Sequence, residues 1–132
     1  MKIVIAFLET VFCLTFFGCG YIYGPVEEVK AFANEKGNVI VQMGKKIEEN
    51  PTEAGVDEAR KIFEARKDDL VAKRKAISAK PHGLNGDWLT MFYQSKRDDN
   101  ALFNKISEKL PPNGAAIKKF AALRHDFDEA VK

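Results

Sequence analysis

The four residues Asn50-Pro51-Thr52-Glu53 close one helical pattern and open another. An Asn side chain can accept the first free backbone N–H groups of a helix. Proline suits the first helical position, where its missing N–H would be unpaired in any case, and a Glu three residues after the cap can return a hydrogen bond. The spacing predicts a helix starting at Pro51 with Asn50 as its cap. Downstream, Val56, Ala59, Ile62/Phe63, Leu70 and Ile77 recur on one helical face, and Asp57/Lys61 and Asp69/Lys73 pair opposite charges at a spacing of four. The stretch ends in Lys73-Arg74-Lys75 and Lys80, where positive charge complements the helix dipole.

Upstream, Pro25 opens a helix on which Val26, Val29, Ala33, Lys36, Ile40, Met43 and Ile47 alternate at steps of three and four. Gly37-Asn38 interrupts this pattern, leaving one kinked helix or two shorter ones as alternatives. Lys36 and Arg66 lie near the apolar stripes, and their long stems are expected to carry the charges out to solvent.

Beyond the turn at 80–87, "KPHGLNGD", either Asp87 or Asn85 can cap a third helix carrying Trp88, Leu89, Phe92, Leu102, Phe103, Ile106 and Leu110. Its middle, "SKRDDN" at 95–100, is polar throughout and reads as an exposed helical turn or a local break. Pro111-Pro112 stops it, and Asn113 is expected to cap a last helix with Ile117, Phe120, Ala121, Leu123, Phe127 and Val131. No stretch alternates with period two for long enough to make a strand. Four amphipathic segments joined by short turns predict an all-α fold, a small antiparallel helical bundle of about four helices over residues 25–132, preceded by a signal or anchor segment.

The chain has 132 residues, 45% hydrophobic and 30% charged, which is globular and at most one domain. A formal net charge of +2 is too even for a nucleic-acid partner, which calls for a strongly basic stripe. Residues 3–17, "IVIAFLETVFCLTFF", are apolar apart from Glu9, Thr10 and Thr15, and follow Lys2. A short positive end, an apolar run and then small residues make the layout of a secretory signal. The run is shorter than the roughly 20 residues that span a bilayer. Extended to Tyr23 it would reach that length, with Glu9 and the Gly18-Cys19-Gly20 break inside it. Removal is therefore favoured over an uncleaved anchor.

"FFGCG", residues 16–20, resembles the lipobox of bacterial lipoproteins, in which a signal peptidase cuts before a diacylglyceryl-modified cysteine. The resemblance implies that residues 1–18 are removed as a signal peptide, that Cys19 becomes the acylated, palmitate-bearing N-terminus, and that residues 19–24 tether the bundle domain. Gly18 matches the small residue of the pattern, while Phe16, where an aliphatic is usual, and Glu9 in the apolar run depart from it. Cleavage would also remove Cys13, leaving no free thiol for an oxidising compartment. Tyr21 and Tyr23 would lie at headgroup level, where amphipathic rings are favoured.

No pattern points to catalysis. His125 and Glu129 share a helix face, but two ligands do not make a metal site, His82 stands in a turn, and no Cys-x-x-Cys-His is present for haem. Ser78, Ser95 and Ser107 lack a nucleophile elbow, and "HGLNG" lacks the Lys-Ser or Lys-Thr of a phosphate loop. Asp68-Asp69 and Asp98-Asp99 are sequence neighbours that point about 100° apart on a helix, unlike an acid/base pair. The basic cluster Lys73-Arg74-Lys75-Lys80 reads as a helix end rather than a lipid-binding patch. Trp88, Phe92 and Tyr93 are the candidate binding surface, with Tyr93 at the edge of the core, since aromatic residues dominate interface hot spots.

These features predict a non-enzymatic, lipid-anchored protein of a bacterial cell envelope, its domain facing the periplasm or exterior. It would act by binding or as a scaffold, without cofactor or nucleic acid, and with an envelope protein as a possible partner. The alternative is a carrier holding a small ligand or metal in the bundle interior.

Overall fold

The computed structural model describes residues 25–80 and 87–132. They form four helices, α1 (Val26–Glu49), α2 (Glu53–Ala79), α3 (Asp87–Ser107) and α4 (Ala115–Val131), with no strand among the described residues. The expected all-α bundle is thus present. Helix α1 is continuous through Gly37-Asn38, and α3 through the polar stretch 95–100.

The helices make two antiparallel hairpins lying side by side. In the first, Glu28 on α1 meets Lys80 just past the end of α2, and Glu35 meets Arg66 and Lys73 on α2. In the second, Phe103 of α3 packs on Phe120 and Phe127 of α4, while Arg124 donates to Asn100 and Asn104. Between the hairpins, Lys36 pairs with Asp99, and Gly44 lies against Ile106, so α1 and α3 run parallel. Asp57 with Lys119 and Arg60 with Asp126 show α2 and α4 to be parallel as well. Helices α2 and α3, though consecutive, therefore face each other across a diagonal.

A core of Val29, Phe32, Ile40, Met43, Ile47, Phe63, Leu70, Phe103, Phe120, Leu123 and Phe127 fills the interior. Phe127 sits 5.6 Å from Phe63 and 5.2 Å from Phe103, ring to ring, and so joins both hairpins. Helix α4, at 17 residues, is much shorter than the 27-residue α2. It covers only the half of α2 that holds Asp57, Arg60 and Phe63. Among the described residues, the opposite end is built from α1, α2 and α3. Two expected core residues are out of place: Leu89 and Ala121 are exposed, and Ala121 lies between the buried Phe120 and Leu123 on the outer side of α4.

The first turn differs from its expected form. Asn50 ends α1, its backbone N–H donating to Lys46 O, and the residue preceding α2 is Thr52, whose side chain makes no cap bond to the helix. Thr52 Oγ1 instead donates to Asn50 Oδ1 at 2.8 Å. The reason is Gly55, on which a Cβ would come 1.7 Å from the Asn50 carbonyl oxygen. The chain turns so tightly that the Asn50 backbone packs onto the first turn of α2. The last turn also differs. Gly114, not Asn113, precedes α4, and Asn113 takes φ 63°, the left-handed region that Asn tolerates better than most residues. Expected helix-surface pairs are partly rearranged too. Asp69–Lys73 forms at 2.9 Å, but Lys61 pairs with Glu58, leaving Asp57 for Lys119 of α4.

Gly55→Ala is expected to destabilise the protein by about 3 kcal/mol or more, because the hairpin must open to admit the methyl group. Urea unfolding followed by circular dichroism checks this, and an unchanged midpoint would contradict the close approach.

Candidate functional site

The polar middle of α3 is where sequence and structure diverge most. Ser95 and Asp99, four residues apart and hence on one face, are each only 6% exposed. The face on which they lie runs Trp88, Phe92, Ser95, Asp99, Phe103, Ile106, in steps of three and four. The helical period therefore passes unbroken through "SKRDDN", with two polar members. On α1, Lys36 is likewise the one charged residue of the apolar stripe. Contrary to expectation it does not reach solvent, and remains 3% exposed.

Lys36 stays inside because partners surround it. Its Nζ donates to Asp99 Oδ2 at 2.7 Å, and lies 5.2 Å from the centre of the Phe32 ring and 5.8 Å from that of Phe92. A carboxylate and two ring faces compensate part of the hydration that a buried ammonium loses. Phe92 is shared between two cations, since the Arg74 guanidinium lies 4.6 Å from its centre. Burial pushes the Asp99 carboxyl above the usual aspartate value. The bond from Lys36 partly offsets this, while the Asp128 and Asp98 carboxylates add to the upward shift. Two buried polar atoms here, Arg74 Nε and Ser95 Oγ, find no hydrogen-bond partner among the described residues.

Beside this pair, α1 and α3 splay. At Gly44 they touch, a Cβ there lying 3.1 Å from Ile106 side-chain atoms. At Gly37 a Cβ would meet nothing within 4 Å. The widening leaves a surface groove of about 590 Å³ between Val29, Ala33 and Gly37 on one side and Met91, Ser95 and Leu102 on the other, with Asn34, Gln94, Asp98 and Asp99 adding polar groups.

The three aromatic residues expected to form a binding surface do not form one patch. Trp88 and Phe92 are half-buried against the core, whereas Tyr93 is 56% exposed on the outer side of α3. The basic cluster disperses as well. Lys73 binds Glu35 and Asp69, Lys80 binds Glu28, and Arg74 covers Phe92. Arg66 reaches Glu35 and is part-buried. Ion pairs also hold down three carboxyls at the surface: Lys80 lowers that of the half-buried Glu28, Arg60 that of the half-buried Asp126, and Lys73 that of the exposed Asp69. His125 is exposed, and no cluster of three His, Cys, Asp or Glu able to hold a metal occurs among the described residues. Cys19, Asn85 and His82 lie outside the described residues. No protein-family model matches the chain, and no curated protein or solved structure is detectably similar to it.

Removing one partner of a buried pair strands the other. Lys36→Met is expected to destabilise the bundle by about 3–5 kcal/mol at neutral pH, and the double variant Lys36→Met/Asp99→Leu to recover most of that loss. Equilibrium unfolding of both variants is the check.

The pH dependence follows from the upward shift of Asp99. The folded chain binds this proton more tightly than the unfolded chain does. The contribution is full below the unfolded value and is lost as pH rises through the folded one. The stability of the wild type relative to Asp99→Asn should therefore increase as pH falls across that window. Denaturation curves at a series of pH values give the sign directly.

Proposed function

We propose that this chain is a small lipid-anchored protein of the bacterial cell envelope that acts by binding or as a scaffold rather than by catalysis. The observation that carries this reading is the Gly18-Cys19-Gly20 triplet, which directly follows the apolar run 3–17 and precedes α1 by only a few residues. With Cys19 acylated, residues 19–24 form a tether that reaches at most about 20 Å when extended. Such a tether keeps the start of α1, and with it the start of the parallel α3, near the membrane surface. The exposed Leu89 and Tyr93 on that part of α3 suit an interfacial setting. No helix of the described residues is long and apolar enough to cross a membrane.

Binding at a surface is favoured over carriage in the bundle interior. Phe63, Phe103, Phe120 and Phe127 fill the centre, and the open volume lies between α1 and α3 at the surface.

Intact-mass analysis of membrane-extracted protein, beside Cys19→Ser, tests the anchor. The expected result is a chain beginning at Cys19 with added acyl mass, absent from the variant. A chain beginning at Met1 without modification would overturn the reading.

A further inference from the structure

The α1/α3 groove combines three features that helix packing alone does not require. Its volume of about 590 Å³ falls within the range of small-molecule sites. Its walls are apolar at Val29, Ala33, Met91 and Leu102, and Gly37 leaves one side open where any larger residue would fill the space. Its polar lining includes the nine-tenths-buried Ser95, whose hydroxyl has lost water and has no partner among the described residues, next to Asp99, which holds Lys36 through one oxygen. A buried hydroxyl can give and accept a hydrogen bond, so a head group that parts the side chains now sealing it from water would satisfy it. The charges in the lining select among such molecules. The lining holds two carboxylates, Asp98, which accepts from Gln94, and Asp99, which is paired with Lys36, and one cation, Lys30, which lies 3.6 Å from Glu27.

We propose that this groove binds a small molecule with an apolar body and a hydrogen-bond-donating head, an alcohol or primary amine. The body lies on Val29, Ala33, Met91 and Leu102, and the head meets Ser95 and Asp99. A carboxylate head is disfavoured, because it would be brought up to two carboxylates. The inference deepens the binding reading above by naming a ligand class. It does not depend on the anchor, so Cys19→Ser should leave the site intact, and failure of the mass test is distinguishable from failure here.

The methionines supply the test. Met91 lines the groove, and Met43 is fully buried in the core. The full chain, methyl-labelled at methionine and held in phosphatidylcholine nanodiscs, is titrated separately with benzyl alcohol, benzylamine and benzoate while methyl resonances are recorded. The expected result is a saturable shift of Met91 with the alcohol and the amine, none with benzoate, and a stationary Met43. Ser95→Ala should weaken the apparent Kd about five- to tenfold, as expected for one lost hydrogen bond. Gly37→Leu should abolish the response while the protein stays folded, since the new side chain enters open space and leucine favours helix over glycine. The proposal is overturned if Met91 responds to neither donor, if benzoate shifts it equally, if Met43 moves with it, or if the response survives Gly37→Leu or is unchanged in Ser95→Ala.

Discussion

The bond between Lys36 and Asp99 is the constraint on which the rest of the structure depends. Each hairpin has local reasons to form: a tight turn at Gly55 in one, and the Phe103, Phe120 and Phe127 stack in the other. Nothing local dictates how the hairpins meet. Apolar faces packed side by side tolerate sliding, since one leucine or phenylalanine substitutes for another as a neighbour. A buried ammonium does not, because any other register leaves it and a carboxylate dry and unpaired. The pair adds little net stability over well-packed apolar residues. Its larger effect is to make one alignment of α1 and α3 far better than the alternatives.

The same alignment determines the shape of the α1/α3 seam. Gly44 lets the helices touch at Ile106, and the pair at Lys36 and Asp99 sits further toward their N-termini, where α1 and α3 have begun to separate. Core on one side and groove on the other share a wall there. Ser95 and Asp99 belong to both, which is why polar residues occur at positions that the period of α3 assigns to the interior.

Most of the helical architecture was legible in the sequence, because apolar residues at steps of three and four report directly on burial. Val29, Ile40, Met43, Phe63, Leu70, Phe103, Phe120 and Phe127 are core for that reason. The turns were less legible. Asn50 and Asn113 both have a cap residue's chemistry, but Gly55 and Gly114 decided the local geometry, one by close approach and the other by its place before α4. The candidate site is not legible from hydrophobic periodicity. Lys36, Ser95 and Asp99 are polar residues in apolar registers, and polarity alone points to solvent or to a break in the helix. Charge of opposite sign at core-facing positions of two helices was the available clue. It requires knowing that α1 and α3 are neighbours, which local sequence does not contain. The exposed ion pairs were only partly foreseeable, since Asp57 and Glu35 bind residues of other helices.

The side-by-side arrangement also bears on how the chain folds. Within each hairpin the turn brings neighbouring helices together over a short loop. Docking the hairpins instead closes loops of |i−j| = 63 for Lys36 with Asp99 and 66 for Arg60 with Asp126. Loop-closure entropy rises with such separations, so bringing the hairpins together costs more than closing either turn. The polar pair forms only when the hairpins meet. With the hairpins undocked, Lys36 and Asp99 would lie in water at little penalty, so the pair acts only against compact arrangements that bury either charge unpaired.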